Sequence, residues 1–582
     1  MTYKIRGEIP KKNADEMGEY SPLVKKLLFY RGVTTKTEAN RFLNPDWERD
    51  INDPFLIFNM EKAVDRILTA IGAGEKIVIY SDYDADGIPG GVVLHDFFKK
   101  IGYTNFLNYI PHRHDEGYGL KAEAIEKFAK DGVNLIITVD LGITDIESVA
   151  LANKLGMEVI VSDHHLPVIL NGVEVLPPAF AVLDSKQSAD TYPDNMLCGA
   201  GVAFKLVQAL LKKGKEQGLF LDIPDGWEKW LLDMAGLSTI ADMVPLKKEN
   251  RVLAKYGLTV MRKSKRVGLL ALLRKMNISQ KDLTEDDIGY MIVPRINAAG
   301  RMDHPMRAFE LLSTQDSAEA EHLAEHLSHI NDQRKGHVAV IIKEARKHLE
   351  LRELREVIVV GHPEWMPGVL GLVANKLVED FKRPVFVWGY DSAGKIKGSC
   401  RGNGTMSIVE LMRAVPEGIF LDVGGHHEAG GFSTIHEHIH TLEETLSDLY
   451  MKMNIETGEA VKYIDSTLTL DDVTWKTFKE IDALSPFGLE NEKPVFLFEN
   501  VEIDAMRIFG KTKEHLGLDF RDSDNRKVSA IGFFLTDKNF PDIKMGSGEK
   551  INLIASFERS TFRNVTELRL RITDILPPSD NA

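Results

Sequence analysis

From Lys76 onward, short apolar runs rich in β-branched residues alternate with amphipathic stretches. Residues 77–80, 135–139, 158–161 and 180–183 have the pattern of strands buried on both faces. Helical runs such as 121–130 and 145–155 separate them. Alternation of this length predicts an α/β unit with a doubly wound parallel sheet. Such sheets bind ligands at the carboxyl ends of their strands. Residues 21–60 precede this region, with LVKKLLFYRG and ANRFL as amphipathic pieces, and read as a docking or covering segment.

Beyond Pro305 the period changes. Asp316-Ser317-Ala318-Glu319 has the form of a helix start with Asp as N-cap. Leu323, Leu327, Ile330, Val338, Ile341, Ala345 and Leu349 then recur at helical spacing, predicting one long helix, bent at Gly336, between two domains. Residues 357–360, 369–378 and 384–388 predict a second, smaller α/β unit. From Asp465 the chain turns β-rich, with short strands over 468–470, 494–498, 516–520, 528–534, 551–557 and 567–575. Strands of this number and length predict a small barrel.

Bulk composition narrows the class. The chain has 582 residues, 43% hydrophobic and 27% charged, which suits several globular domains. No apolar run approaches the roughly 20 residues that span a bilayer, and the first 20 residues have no apolar signal core. Cys198 and Cys400 alone make no disulfide framework and fit a reducing cytoplasm. A net charge of −15 argues against a surface coated by nucleic acid, but not against a local basic groove.

The candidate chemistry sits where the sheet predicts it. The first strand runs into SDYDADG, with Asp82, Asp84 and Asp86 at alternate positions that face one side of an extended segment. Three converging anions repel unless a cation holds them, and hard divalent ions take such oxygen ligands. A solvated acidic turn is the plainer reading. The second strand ends at Asp140, which also fits a helix N-cap. The third ends in Asp163-His164-His165, where neutral imidazole suits a metal and a carboxylate can fix its tautomer. The fourth ends at Asp184. Asp242 interrupts the otherwise apolar STIADMVP and needs a partner if buried. Acids and histidines from four segments suggest two metals, and a pair about 4 Å apart activates water and stabilises a phosphoryl displacement.

In combination these segments resemble the DHH phosphoesterase superfamily and, within it, the RecJ single-strand-specific exonucleases. The similar segments are SDYDADG (81–87), PHRHDEGYGL (111–120), VDLGIT (139–144), SDHH (162–165), GAGVAFKL (199–206), TIADMVPL (239–246), PRINAAGRMD (294–303), PGVLGLVANKL (367–377), GSCRG (398–402) and GGHHEAGG (424–431). The resemblance implies a parallel-sheet DHH domain and a DHHA1 domain joined by the long helix, plus a C-terminal OB-fold barrel. The expected boundaries are 1–60 for the covering segment, 61–310 for the catalytic domain, 311–352 for the helix, 353–455 for the DHHA1 domain and 460–582 for the OB fold. It implies a binuclear Mn²⁺ or Mg²⁺ centre on Asp84, Asp86, Asp140, His164 and Asp242, with Asp82 as a further ligand in the DxDxD form and His165 beside them. Arg295, Asn297 and Arg301 are expected at the scissile phosphate. Arg113, Ser399 and Arg401 are expected on the terminal nucleotide, Tyr118 stacked on a base, and Gly425 and His426 against the substrate. On the barrel, Lys511, Lys513, Arg521, Arg526, Arg559, Arg563, Phe520 and Phe562 are candidates for binding a single strand. The sequence departs from the family pattern at Tyr80, where small-substrate members carry a ligand histidine, at Leu141, after Asp184, and at Cys400 and Gly402.

The activity implied is 5′→3′ hydrolysis of single-stranded DNA to nucleoside 5′-monophosphates, in DNA repair and recombination. Implied partners are single-stranded DNA, a single-strand-binding protein and a RecQ-type helicase, with no membrane. A phosphodiesterase for cyclic dinucleotides or short oligonucleotides is the alternative; the barrel and long helix favour a polymer. A non-enzymatic replication scaffold ranks last, because every expected ligand is present.

Overall fold

The computed structural model describes residues 2–453, 461–510, 513–561 and 566–578. The chain divides into two compact units. One comprises Asp53–Asp242 and Tyr256–Gly458, the other Met1–Asn52, Met243–Lys255 and Glu459–Ala582.

The first unit holds the predicted parallel sheet. Its strands are β1 (Ile77–Ser81), β2 (Phe106–Tyr109), β3 (Leu135–Val139), β4 (Glu158–Ser162) and β5 (Ala181–Leu183), in the order β2-β1-β3-β4-β5, all parallel. β1 and β3 are buried at every position, hence their uninterrupted apolar runs. The edge strand β2 is half-buried throughout, so NFLNY carries no clear apolar run and the sequence pattern missed it. Helices α1 (Gly87–Lys100), α2 (Gly199–Glu216) and α3 (Leu232–Ala241) pack on one another over one face. Helices Ala122–Lys130 and Ile146–Lys154 supply Ile125, Phe128 and Val149 to the core on the other. In this strand order the direction of winding reverses between β1 and β3, and their carboxyl ends open a crevice.

Helix α4 (Val293–Met302) leads to the long helix α5, Ser317–Glu350. Asp316 caps α5 through the backbone N–H groups of Ala318 and Glu319. The helix is continuous through Gly336 for 34 residues, about 50 Å at 1.5 Å per residue. The helix is not interrupted at Gly336, which sits exposed within it. Ile341, Ala345 and Leu349 of α5 pack against a second sheet and α6 (Leu370–Phe381). That sheet comprises β6 (Ile358–Gly361), β7 (Val385–Tyr390), β8 (Ile396–Arg401), β9 (Phe420–His426) and β10 (Ala429–Thr434), in the order β9-β10-β8-β7-β6. Only β6 and β7 pair in parallel.

The second unit contains the barrel. Its strands are β11 (Ser466–Thr467), β12 (Phe496–Phe509), β13 (His515–Arg521), β14 (Lys527–Gly532), β15 (Lys550–Ser560) and β16 (Glu567–Leu576). They run β11-β12-β13-β14-β16-β15, and β15 pairs back onto β12 to close the barrel. The expected strand over 468–470 is instead the short β11 followed by a turn of 3₁₀ helix at Leu470–Asp472. Helices Pro22–Phe29 and Lys36–Leu43 place Val24, Leu27, Leu28, Phe42 and Leu43 in one apolar core with Phe496, Phe498, Leu516, Leu518 and Phe520. Phe520 therefore cannot stack on a nucleobase; it is fully buried in that core. Arg521 pairs with Asp504 and Arg526 with Asp522, so both basic groups are already engaged. Lys511, Phe562 and Arg563 lie outside the described residues.

Candidate active site

The residue directly after β1, β3, β4 and β5 is in each case an aspartate: Asp82, Asp140, Asp163 and Asp184. Asp82 and Asp140 extend the β1–β3 ladder by one position, since Ser81 lies opposite Val139 and the Asp82 N–H donates to the Val139 carbonyl. Asp140 takes φ = 65°, rare for a residue with a side chain. It caps no helix. Asp145 occupies the residue before Ile146–Lys154 instead.

The turn after β1 sets the other carboxylates. Asp84 Oδ1 accepts from the backbone N–H groups of Asp86 and Gly87 at 2.8 and 3.1 Å, closing the start of α1. Asp86 accepts from the N–H groups of Gly199 and Ala200 at 2.6 and 2.8 Å, the first amides of α2, where the helix dipole favours an anion. This approach needs glycines. A Cβ on Gly87 would lie 2.7 Å from Asp82, and one on Gly199 would lie 2.5 Å from the Asp140 Cβ. Asp242, at the C-terminus of α3, completes the group.

His164 Nε2 reaches into these acids, 3.0 Å from Asp140 Oδ1 and 3.7 Å from both Asp86 Oδ2 and Asp242 Oδ2. Asp163 organises the histidine turn from behind. Its Oδ1 accepts from the backbone N–H groups of His164 and His165 and from His165 Nδ1 at 2.7 Å, and its Oδ2 accepts from the Ile143 N–H. Three overlapping sets result: Asp82 with Asp84 and Asp140; Asp86 with His164 and Asp242; Asp140 with His164 and His165. In each, one donor atom per residue lies within 4.8 Å of the others.

The charges make the chemistry explicit. Burial and the neighbouring Asp84 push Asp86 up to about 6, and burial with Asp86 and Asp84 pushes Asp242 up to about 8. Burial and adjacent carboxylates raise Asp82 and Asp140 well above the ordinary range. Burial pushes His164 down to about 3, keeping the imidazole neutral. Burial also opposes charge on His165, but the Asp163 hydrogen bond outweighs it and lifts His165 to about 9. Buried Asp82 Oδ1 and Asp140 Oδ1 accept no hydrogen bond. Acceptors left bare in a crowd of carboxylates beside a neutral imidazole fit divalent cations.

Tyr80 turns away from this crevice, its hydroxyl donating to the Gly119 carbonyl and its ring against Tyr109 and Phe128. The strand therefore offers no ligand there, and Asp82 stands on the open side. Cys400 is likewise buried, its sulfur 3.7 Å from that of Met412. Gly402 leaves room for Glu428, whose carboxylate lies 2.8 Å from where a Cβ would stand.

The expected substrate residues fall into two groups. Tyr118 is partly exposed, its hydroxyl 3.4 Å from His165 Nδ1. His426, after Gly425 at φ = 144°, stacks on His165 with ring centroids 5.8 Å apart. The β9–β10 hairpin thus meets the catalytic turn. Arg113 lies over the Tyr83 ring at 4.7 Å. Ser399 and Arg401 share one face of β8, opposite buried Cys400. Arg401 Nη2 approaches to 2.9 Å of where a Gly371 Cβ would stand, and Arg301 Nη1 donates to the Gly368 carbonyl. Asn297 carries a buried, unpaired Oδ1. Arg295 departs from expectation. It is buried, donating to Ser328 Oγ of α5 and to the Met291 carbonyl, so its guanidinium joins two helices. Asp163 holds His165 through Nδ1, as expected of a carboxylate that fixes the tautomer.

A doubly wound sheet with this acid and histidine cluster at its switch point defines a phosphoesterase of the DHH class. Residues 76–232 match the DHH family, N-terminal domain; residues 354–452 match the DHHA1 domain, and residues 464–574 the RecJ OB domain. The single-stranded-DNA-specific exonuclease RecJ of Bacillus subtilis is 36% identical over 98% of this chain and 71% of its own length. That of Haemophilus influenzae is 31% identical over 96% of both chains. The crystal structure of Thermus thermophilus RecJ in complex with Mn²⁺ superposes with a TM-score of 0.81 at 25% identity, covering 100% of this chain and 80% of that one. An exonuclease RecJ bound to manganese matches 68% of this chain and 95% of its own, at 32% identity and a TM-score of 0.58. The chain belongs to the RecJ family of single-stranded-DNA-specific exonucleases.

Proposed function

We propose that this protein is a 5′→3′ exonuclease for single-stranded DNA that releases nucleoside 5′-monophosphates and serves DNA repair and recombination. The observation that carries the reading is the meeting of the three acid–histidine sets at the β1/β3 switch point, with bare carboxylate oxygens facing one another. Two divalent ions, Mn²⁺ or Mg²⁺, held by Asp82, Asp84, Asp86, Asp140, His164 and Asp242, would supply Lewis acidity and an activated water. The chain's own groups do the rest. Asp163 fixes the His165 ring through Nδ1, which leaves Nε2 for the substrate. Arg113, Ser399 and Arg401 hold the terminal nucleotide, Arg301 and Asn297 its neighbouring phosphate, and Tyr118 and His426 flank the base. Among the described residues no helix is long and apolar enough to cross a membrane. The reading implies a cytoplasmic protein, with a single-strand-binding protein and a RecQ-type helicase as partners.

The test uses end-labelled single- and double-stranded DNA and RNA, with a cyclic dinucleotide beside them, in Mn²⁺, Mg²⁺ or EDTA. Release of mononucleotides from single-stranded DNA alone, lost in EDTA and in Asp84→Ala, is expected. Preference for the cyclic dinucleotide would replace this reading with the small-substrate one.

A further inference from the structure

We propose that the long helix α5 is itself part of the nucleic-acid groove: Arg334, with Asn331 one turn before it, forms a subsite for a backbone phosphate of the bound strand. This rests on the exonuclease reading above and extends it. Ser328, Asn331 and Arg334 follow one another at intervals of three along α5 and so share a face. The Arg295–Ser328 hydrogen bond, 3.2 Å long, shows that this face meets α4. Asn331 is completely buried, yet neither its amide nitrogen nor its amide oxygen has a partner. Arg334 Nε is buried and unpaired, as is Asn297 Oδ1 on α4. Three side chains on two packed helices thus present unmet donors and acceptors, each of which destabilises the free protein.

The charges around Arg334 point to the ligand. Among the described residues no carboxylate pairs with it. Its electrostatic neighbours are Arg295 and Arg301. Arg301 in turn feels Arg113 and Arg401 and, on the side of the catalytic acids, Asp84. Arg301 thus has both Arg334 and Asp84 as electrostatic neighbours. It also donates to Gly368, in the turn that enters α6. Asp332 acts on Arg295 and Asp84 on Arg301, while no carboxylate acts on Arg334; a guanidinium so placed matches a phosphate, which forked N–H donors grip well. A single terminal phosphate would leave the Arg334 end of this row empty. A strand running on past Arg301 would fill it.

The experiment measures binding of (dT)20 in EDTA across a salt series for wild type, Arg334→Gln and Arg334→Lys, with thermal melts of each. Arg334→Gln should bind roughly ten- to a hundredfold more weakly, as for loss of one charge-assisted contact. Its slope of log K against log salt should be shallower by about 0.7, the value for one phosphate on a single strand. Its melting temperature should hold or rise, because an unpaired buried charge has been removed. Arg334→Lys should keep the slope and lose part of the affinity. An unchanged slope with a lower melting temperature in Arg334→Gln would make Arg334 a helix clamp and overturn the subsite. Absence of (dT)20 binding by wild type at every salt concentration would overturn the exonuclease reading together with it.

Discussion

Asp140 shows at one residue how the site is made. A left-handed backbone at a strand end is unfavourable for any side chain, and here it sets a carboxylate oxygen 3.0 Å from His164 Nε2. The crowding has a measurable cost in the metal-free protein. Asp86 at about 6 and Asp242 at about 8 lie above the ordinary carboxyl value of about 3.9. Between pH 4 and 8 these carboxyls therefore bind more protons in the folded state than in the unfolded one, and their contribution to stability falls as pH rises; below about pH 6.5 the lowered His95 and His164 act in the opposite sense. Cations and protons compete for the same oxygens. Melting in EDTA should thus be lower at pH 8 than at pH 5.5, and Mn²⁺ should raise it more at pH 8. Equal Mn²⁺ shifts at both pH values would contradict this account. A second prediction concerns Gly199. Gly199→Ala drives a methyl into Asp140, so metal affinity measured by calorimetry should fall at least tenfold while the far-UV circular dichroism stays native. The acids were legible in the sequence because strand ends and alternate spacing determine which side chains converge. The role of Asp163 was half-legible, as the first residue of its motif. The bonds of Arg295 to Ser328 and Met291 were not legible, because they depend on how two helices cross.

At the scale of elements, α5 invites two substitutions with opposite signs. Nothing lies within 4 Å of a Cβ built on Gly336, and the helix is continuous through it. Gly336→Ala should stabilise the protein by about 0.5–1 kcal/mol, read as a raised denaturation midpoint; a lower turnover in that variant would mean that catalysis uses a bend there. Arg295→Ala removes the bonds to Ser328 and Met291 and should cost about 1–3 kcal/mol with little change in kcat. The periodicity of α5 and its Asp316 cap were plain from sequence, since both are local. The edge strand β2 was not, because half-buried positions blur the apolar pattern. A barrel was expected, but which strands close it was not, because the pairing of β12 with β15 joins residues far apart in the chain.

At the scale of the whole molecule, the barrel's core is not made by the barrel alone. Leu27, Leu28, Phe42 and Leu43 belong to it, so a cut before Asp465 does more than remove a domain. A chain lacking residues 465–582 should sediment as aggregate, and one that also lacks residues 1–52 should recover much of its solubility. If the first truncation proves monomeric, the N-terminal helices have another support. The sequence pattern foresaw a covering segment and a separate barrel. That the first is built into the second could not be read, since apolar stripes do not name their partners.

The shared core also has a consequence in time. Roughly 450 residues separate Leu43 from Phe496, and a ribosome adding about 5–20 residues per second needs on the order of tens of seconds to bridge them. Throughout that interval the apolar faces of the first helices have emerged while the strands that will cover them do not yet exist. The newborn chain is therefore adhesive at its leading end, and the yield of active protein depends on how fast it is translated and on what shields that end meanwhile.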